Sequence, residues 1–248
     1  MIAIALILGA VVGSFLNVVI VRLPMGKSVV WPGSHCGGCG KPIRWFDNIP
    51  VLSFLWLRGR CRQCSMPISW RYPAVEATTA ALFALAACRF GWTLDVLSAW
   101  IMLGALVAIA AIDLEHQIIP DAISVPAIAA GLILAFLAPS RSGIDALLGV
   151  AVGAGIPFAI VVLSRGGMGG GDIRLGALMG AFLGWRLAVL GIFLGVVLGG
   201  VLATVLLVTG LRGRKDRIPF GPFLAAGAVL SLFVGDALMR WYWSGFEP

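Results

Sequence analysis

Residues 172–210 read DIRLGALMGAFLGWRLAVLGIFLGVVLGGVLATVLLVTG. From Leu175 to Gly210 the only charge is Arg186. A bilayer-spanning helix takes about 20 such residues. The run is too long for one ordinary span and short for two, so a tight hairpin at Gly184-Trp185-Arg186 is expected. The rest of the chain divides in the same way. Apolar blocks near 74–90, 94–112, 119–138, 143–163, 172–185, 187–210 and 219–243 read as spans. Met1 to Val21 adds an eighth. It lacks a basic leader region and a small-residue cleavage site, so it reads as a retained helix. Composition agrees: 60% of the 248 residues are hydrophobic and 12% charged, and mean hydropathy is +1.02. Those values exclude a disordered chain and argue against an ordinary water-soluble domain. The expected fold is all-α and polytopic, with about eight transmembrane helices.

The net charge of +7 does not point to nucleic acid, because the basic residues cluster in loops. Eight spans beginning outside place 22–73, 113–118, 164–174 and 211–218 on the cytoplasmic side. Fourteen of the 18 Lys and Arg residues then lie inside, leaving Arg89, Arg141, Arg186 and Arg240 outside. Without the hairpin, the basic loop at 212–217 would be on the wrong side. The expected organisation is a first helix at 1–21, a cytoplasmic loop domain at 22–73 and a seven-helix region at 74–248. No period of 20–50 residues is read as a repeat.

The loop domain holds two pairs, Cys36-Gly-Gly-Cys39 and Cys61-Arg-Gln-Cys64. C-x-x-C lets two thiolates of one turn face one ion, and two such turns complete a tetrahedron. Four thiolates leave no site for water, so zinc here would be structural, replacing a hydrophobic core the loop is too small to build. Two disulfides or a thiol relay are the alternatives, and a reducing cytoplasm disfavours stable disulfides. His35 reads as a bystander, and Cys88 as packing within a span.

Carboxylates are costly in lipid, which makes those at the spans informative. Asp47 and Asp216 fall in loops and Glu247 in the tail. Asp95 and Asp145 open spans on the outer side, and Asp236 has Arg240 at i+4. Glu76, Asp113, Glu115, Asp121 and Asp172 remain. Asp121 follows Pro120, and capping suffices to explain it. Asp172 ends the glycine run 166–171, and it too can be read as a helix cap. Yet Asp113 and Asp172 reach the inner boundary on different spans. Two carboxyls meeting there cannot both readily ionise and would share one proton. One can then take a proton from water while the other polarises a peptide carbonyl. Gly169, Gly170 and Gly171 would leave room for a substrate backbone beside Asp172.

The motifs, taken together, resemble the type IV prepilin peptidases, also called leader peptidase/N-methyltransferases, of the membrane GxGD aspartyl protease group. The resemblance runs through Gly13-Ser-Phe-Leu-Asn-Val-Val-Ile-Val-Arg-Leu-Pro24, the cysteine pairs flanking Asp47-Asn-Ile-Pro50, and Arg71-Tyr-Pro-x-x-Glu76. It continues through Ile112-Asp113 to Ile119-Pro-Asp121, Met168-Gly-Gly-Gly-Asp172-Ile-Arg-Leu175, and Ile218-Pro-Phe-Gly-Pro-Phe-Leu224. Arg174 stands where the family typically has Lys. The resemblance implies cleavage of the leader of type IV prepilins or type II secretion pseudopilins, with Asp113 and Asp172 as the catalytic pair. It also implies methylation of the new N-terminal amine from S-adenosylmethionine, in the bacterial inner membrane. Glu76 is the best single candidate to hold a cationic amine or sulfonium, with Asn17 and Arg22 weaker; an interfacial first-turn acid is the plain alternative for Glu76. Two other readings compete: a zinc-binding membrane transporter or sensor, and a scaffold that binds prepilins without cutting them.

Overall fold

A computed structural model describes residues 1–163, 169–211 and 218–244. Met168, the basic residues at 212–217, Asp216 and Glu247, each used in the sequence reading, lie outside the described residues. Eight α-helices make up the described chain: α1 (Ile2–Arg22), α2 (Leu52–Trp56), α3 (Arg71–Phe90), α4 (Leu94–His116), α5 (Asp121–Leu137), α6 (Gly143–Leu163), α7 (Gly170–Val208) and α8 (Gly221–Ser244). The only β-pairing among the described residues is two isolated bridges, His35 with Pro42 and Arg60 with Pro67. The chain is therefore all-α.

Local chemistry sets the helix ends. Thr93 accepts the Asp95 N–H on its hydroxyl at the start of α4, and Ser142 does the same for Asp145 in α6. Gly91, at φ 65°, stops α3, and Pro120 precedes α5. α7 is broken at Gly184, whose φ of 73° and ψ of 172° belong to no helix. In an unbroken helix Met179 and Gly191 would be about 18 Å apart. Instead a Cβ added at Gly191 would stand 2.9 Å from the Met179 Cε. The two arms, 170–183 and 185–208, fold back on each other, and the expected hairpin is present. Arg141 closes the break by donating to the carbonyl of Phe182 at 2.7 Å, while the Asp145 carboxylate abuts Gly184.

By length and composition five helices can cross a bilayer: α1, α4, α6, α7 and α8, with α7 counted once despite its break. α5 is apolar but spans only 17 residues, and α3 carries Arg71, Glu76 and Arg89. Large apolar side chains face outward on these helices, such as Ile7, Phe15, Ile133, Phe158 and Phe193. That inverts the pattern of a soluble protein and marks a multi-pass membrane protein.

Two compact units divide the chain between Val96 and Leu97, within α4. In the N-terminal unit α1 packs antiparallel on α3 through Gly9 and Gly13, where a Cβ would lie 2.7 Å from the Cα of Ala80 and of Glu76 respectively. In the C-terminal unit Gly149 and Gly153 of α6 meet Gly180 and Gly176 of α7, and Gly191 and Gly195 meet the face of α8 around Gly227 and Leu224. Small residues let helix backbones touch where lipid supplies no hydrophobic drive for association.

Candidate active site and metal centre

In the C-terminal unit, Asp113 comes from the last turn of α4 and Asp172 from the first turn of α7. Both are 6% exposed. Asp113 Oδ2 accepts the backbone N–H of Gly221 at 2.9 Å. Asp172 Oδ2 accepts the N–H of Gly169 at 3.0 Å, so Asp172 does cap its own helix. The cap uses one oxygen only. The two carboxyls also lie close enough to interact electrostatically. Each therefore has one oxygen engaged by a glycine N–H and a second outside that bond. His116 and Glu115 are on the exposed side of α4.

Arg174, two residues beyond Asp172, is ion-paired with Asp121 at the start of α5. Asp121 thus has a partner as well as a capping position. Of the three glycines expected beside Asp172, Gly170 borders open space. A Cβ at Gly171 would lie 2.8 Å from that of Ile119, so the gap there is filled by the chain's own packing. The sequence reading missed Gly221 as the group that holds Asp113. The Pro219-Phe-Gly-Pro222 motif was its only trace.

In the N-terminal unit the four cysteines converge. Their sulfurs all lie within 4.8 Å of one another, with Cys36 Sγ 3.7 Å from Cys64 Sγ. A tetrahedron with metal–sulfur bonds of about 2.3 Å puts its sulfurs about 3.8 Å apart, so the cluster fits a metal ion such as zinc. All four are free thiols. The Cys36 thiol is held down at about 6, first by the Cys39 backbone, then by that of Gly38 and the Cys61 thiol. For Cys64 the Met66 backbone works downward, but desolvation and the neighbouring thiols push it up to about 11.

The two cysteine turns are copies. Cys36 N–H bonds Lys41 O, Gly40 N–H bonds Cys36 O, and Ile43 N–H bonds Ser34 O; each bond recurs 25 residues later, at Cys61–Met66, Ser65–Cys61 and Ile68–Gly59. The absence of a repeat in the sequence reading is thus corrected. C-x-x-C-x-x-P-I-x-W occurs at Cys36–Trp45 and again at Cys61–Trp70. Between the turns, Asp47 takes both Nε and Nη2 of Arg62, which holds its carboxyl below the usual carboxylate range. Phe54 is the one large apolar side chain buried in the loop, so metal is well suited to hold it together.

A cavity of about 590 Å³ adjoins this cluster. Glu76 lines it at 8% exposure, with Oε2 accepting the Val51 N–H at 2.7 Å. Val51 is held at φ 62°, a backbone region that β-branched residues avoid. Asn17, 2% exposed, also lines the cavity and donates to Tyr72 O at 3.0 Å.

Known proteins match both units. Residues 7–90 match the Bacterial Peptidase A24 N-terminal domain, and residues 100–204 match the Type IV leader peptidase family. A protein of Myxococcus xanthus, described as a prepilin leader peptidase/N-methyltransferase, is 45% identical over 84% of this chain. The chain spans 64% of that relative's length. Proteins of the same description from Bacillus subtilis and Aeromonas hydrophila are 34% and 35% identical, over 98% and 95% of this chain and 98% and 91% of their own lengths. No solved structure matches. Similarity of this depth, running through both the cysteine-bearing and the aspartate-bearing halves, makes the chain a member of the type IV leader peptidase family.

Proposed function

We propose that the chain is an intramembrane aspartyl endopeptidase. It would cleave the leader of type IV prepilins or type II secretion pseudopilins and methylate the N-terminal amine that cleavage exposes. The observation that carries the peptidase reading is the arrangement of Asp113 and Asp172: two buried carboxyls from separate helices, each with Oδ2 tied to a glycine N–H. Tying Oδ2 leaves the Oδ1 atoms for the chemistry. One carboxylate takes a proton from a water held between the pair, and that water attacks the scissile carbonyl carbon. The other, protonated, donates to the carbonyl oxygen. The proton taken from water then passes to the leaving nitrogen as the C–N bond breaks.

The four cysteines would hold one structural zinc, which would fix the loop rather than take part in cleavage. S-adenosylmethionine would supply the methyl group, with Glu76 the acid facing its positive charge. The zinc loop and the active site are assigned to the cytoplasmic side of the bacterial inner membrane, on the distribution of Lys and Arg. The transporter or sensor reading is disfavoured because the key acids do not form a series through the bilayer depth.

Purified protein and a prepilin in detergent provide the test. Asp113→Asn and Asp172→Asn should each abolish cleavage, and each should match the double variant, because the pair acts as a unit. Cleavage by either single variant at near the wild-type rate would remove the assignment. Lack of turnover by the unaltered chain would favour the scaffold reading.

A further inference from the structure

Residues 49–57 read IPVLSFLWL, an uncharged apolar run in a loop that carries eight Lys and Arg residues between Arg22 and Pro73. Within it α2 puts Leu52, Leu55 and Trp56 on one face, at i, i+3 and i+4, and they are 64%, 61% and 83% exposed. Phe54 turns the other way, buried, with its ring 4.7 Å from that of Trp70. An apolar face turned outward asks for a neighbour other than water. The depth of α2 says which one. α3 runs antiparallel to α1 in a fixed register: Asn17 Nδ2 donates to Tyr72 O, while Gly13 and Gly9 face the Cα atoms of Glu76 and Ala80. Glu76 accepts the Val51 N–H at 2.7 Å, so α2 begins at that level. Gly13 is nine residues before Arg22, or about 13 Å along α1. A Glu76 side chain leaning back by about one turn still leaves Val51 below Arg22. That is the level of α1 itself, which is uncharged from Ile2 to Val21. The backbone also suits lipid, where no water serves an unpaired group. Pro50 has no N–H, Val51 gives its own to Glu76, and the N–H groups of Leu52, Ser53, Leu55 and Leu57 bond the carbonyls of Pro50, Ile49, Val51 and Ser53.

We propose that residues 49–57 are a re-entrant element seated in the membrane leaflet next to the cysteine loop, with Leu52, Leu55 and Trp56 among the acyl chains and Arg58 and Arg60 on the phosphates of anionic lipid. Charge selects lipid over a second copy of the loop. The only acid between Arg22 and Pro73 is Asp47, and Arg62 holds it. Two such loops would repel, whereas an anionic headgroup supplies the missing sign. Arg58 and Arg60 follow the apolar face directly and are exposed, the order in which a helix dips below the headgroups and its basic residues stay with them. Trp56, an apolar ring with one N–H, suits the boundary between chains and headgroups. The consequence is a second anchor for the loop, beyond its covalent ends at α1 and α3.

The depth of Trp56 is the test. Trp56→Phe removes one exposed ring and no buried contact. The emission of the full chain in phospholipid nanodiscs, less that of Trp56→Phe, isolates Trp56 from the other eight tryptophans. Lipids brominated on their acyl chains should quench this difference signal at least about twofold. No quenching by brominated lipid overturns the proposal, and further readings then name the occupant. Quenching by aqueous iodide instead would put Trp56 in water. Protection from iodide that appears only on adding a prepilin would make the substrate the partner, and protection only in discs holding two chains would make it a second copy. A second arm tests the arginines. Bromine on a minority of phosphatidylglycerol should quench Trp56 at least about twofold more than the same fraction on phosphatidylcholine. The double change Arg58→Gln with Arg60→Gln should make the two equal. Equality in the unaltered chain, or a preference that survives the double change, overturns the part given to Arg58 and Arg60.

Discussion

Gly221→Ala is the sharpest perturbation of the proposed catalytic pair. The backbone at Gly221 is not left-handed, so alanine meets no conformational strain there. The penalty comes from contact alone. The added Cβ would stand 2.7 Å from Asp113 Oδ2 and 3.1 Å from its Cγ, where ordinary contact begins at 3.4 Å. About 0.7 Å must therefore be found, either by turning the Asp113 carboxyl or by withdrawing the start of α8. Both lengthen the Gly221 N–H bond to Oδ2, now 2.9 Å. Overpacking of this size costs about 1–3 kcal/mol, and a catalytic group displaced by about 1 Å loses about 100-fold in rate. Single-turnover cleavage in detergent should fall between about ten- and 100-fold. Gly155→Ala, where a Cβ meets nothing within 4 Å, provides the comparison. If Gly221→Ala cleaves within about twofold of the wild type, the Gly221 bond does not hold a catalytic Asp113.

Metal removal should act on the loop through its thiols. At pH 7.5 Cys36 is largely ionised and Cys64 is not. Zinc uptake by the metal-free protein should thus release protons, but fewer than four per ion, as calorimetry in buffers of different ionisation enthalpy would show. Zinc affinity should fall most steeply as pH drops through about 6, where the Cys36 thiolate is lost. Cys61→Ser should lose the ion and the protease resistance of 22–73 together. At the start of α7, Arg174→Ala should slow cleavage severalfold with a stability change below about 1 kcal/mol, because the pair with Asp121 is exposed. The double swap Asp121→Arg with Arg174→Asp should recover part of the rate; no recovery would mean that Arg174 acts alone.

Some of this architecture was legible in the sequence because its signals are local. Apolar runs gave the helices. The excess length of Leu175–Gly210 with one Arg in it gave the hairpin, which the structure makes with a left-handed glycine. C-x-x-C gave the thiol cluster, since the spacing itself encodes the turn. What escaped was relational. Gly221 and Asp113 are 108 residues apart, and no local pattern connects them. The doubled cysteine turn was visible as C-x-x-C-x-x-P-I-x-W, but two copies do not stand out in a search for repeats along a whole chain. The glycine seams were written as Gly9-x-x-x-Gly13, Gly149-x-x-x-Gly153, Gly176-x-x-x-Gly180 and Gly191-x-x-x-Gly195, yet a hydropathy reading treats glycine as filler. Its meaning appears only when a second glycine or an alanine is found opposite.

Two of those seams bear on function because each adjoins an acid. Gly176 and Gly180 follow Asp172 at helical spacings of four and eight, so Asp172 extends the row that packs on α6. A Cβ at Gly176 would lie 3.0 Å from Pro157 Cγ and closer still to the Gly153 carbonyl. In the other unit a Cβ at Gly13 would strike the Glu76 Cα itself. Alanine at either position must push a helix backbone, and the acid moves with it. Since each seam lies within one compact unit, the two substitutions should separate the activities. Gly176→Ala should depress leader cleavage ahead of methyl-donor affinity, and Gly13→Ala should depress donor affinity and amine methylation ahead of cleavage. Measuring both activities on both variants decides the matter. Parallel loss of cleavage and donor binding in each would mean that the glycines serve general stability, and that neither acid is positioned by the seam it continues.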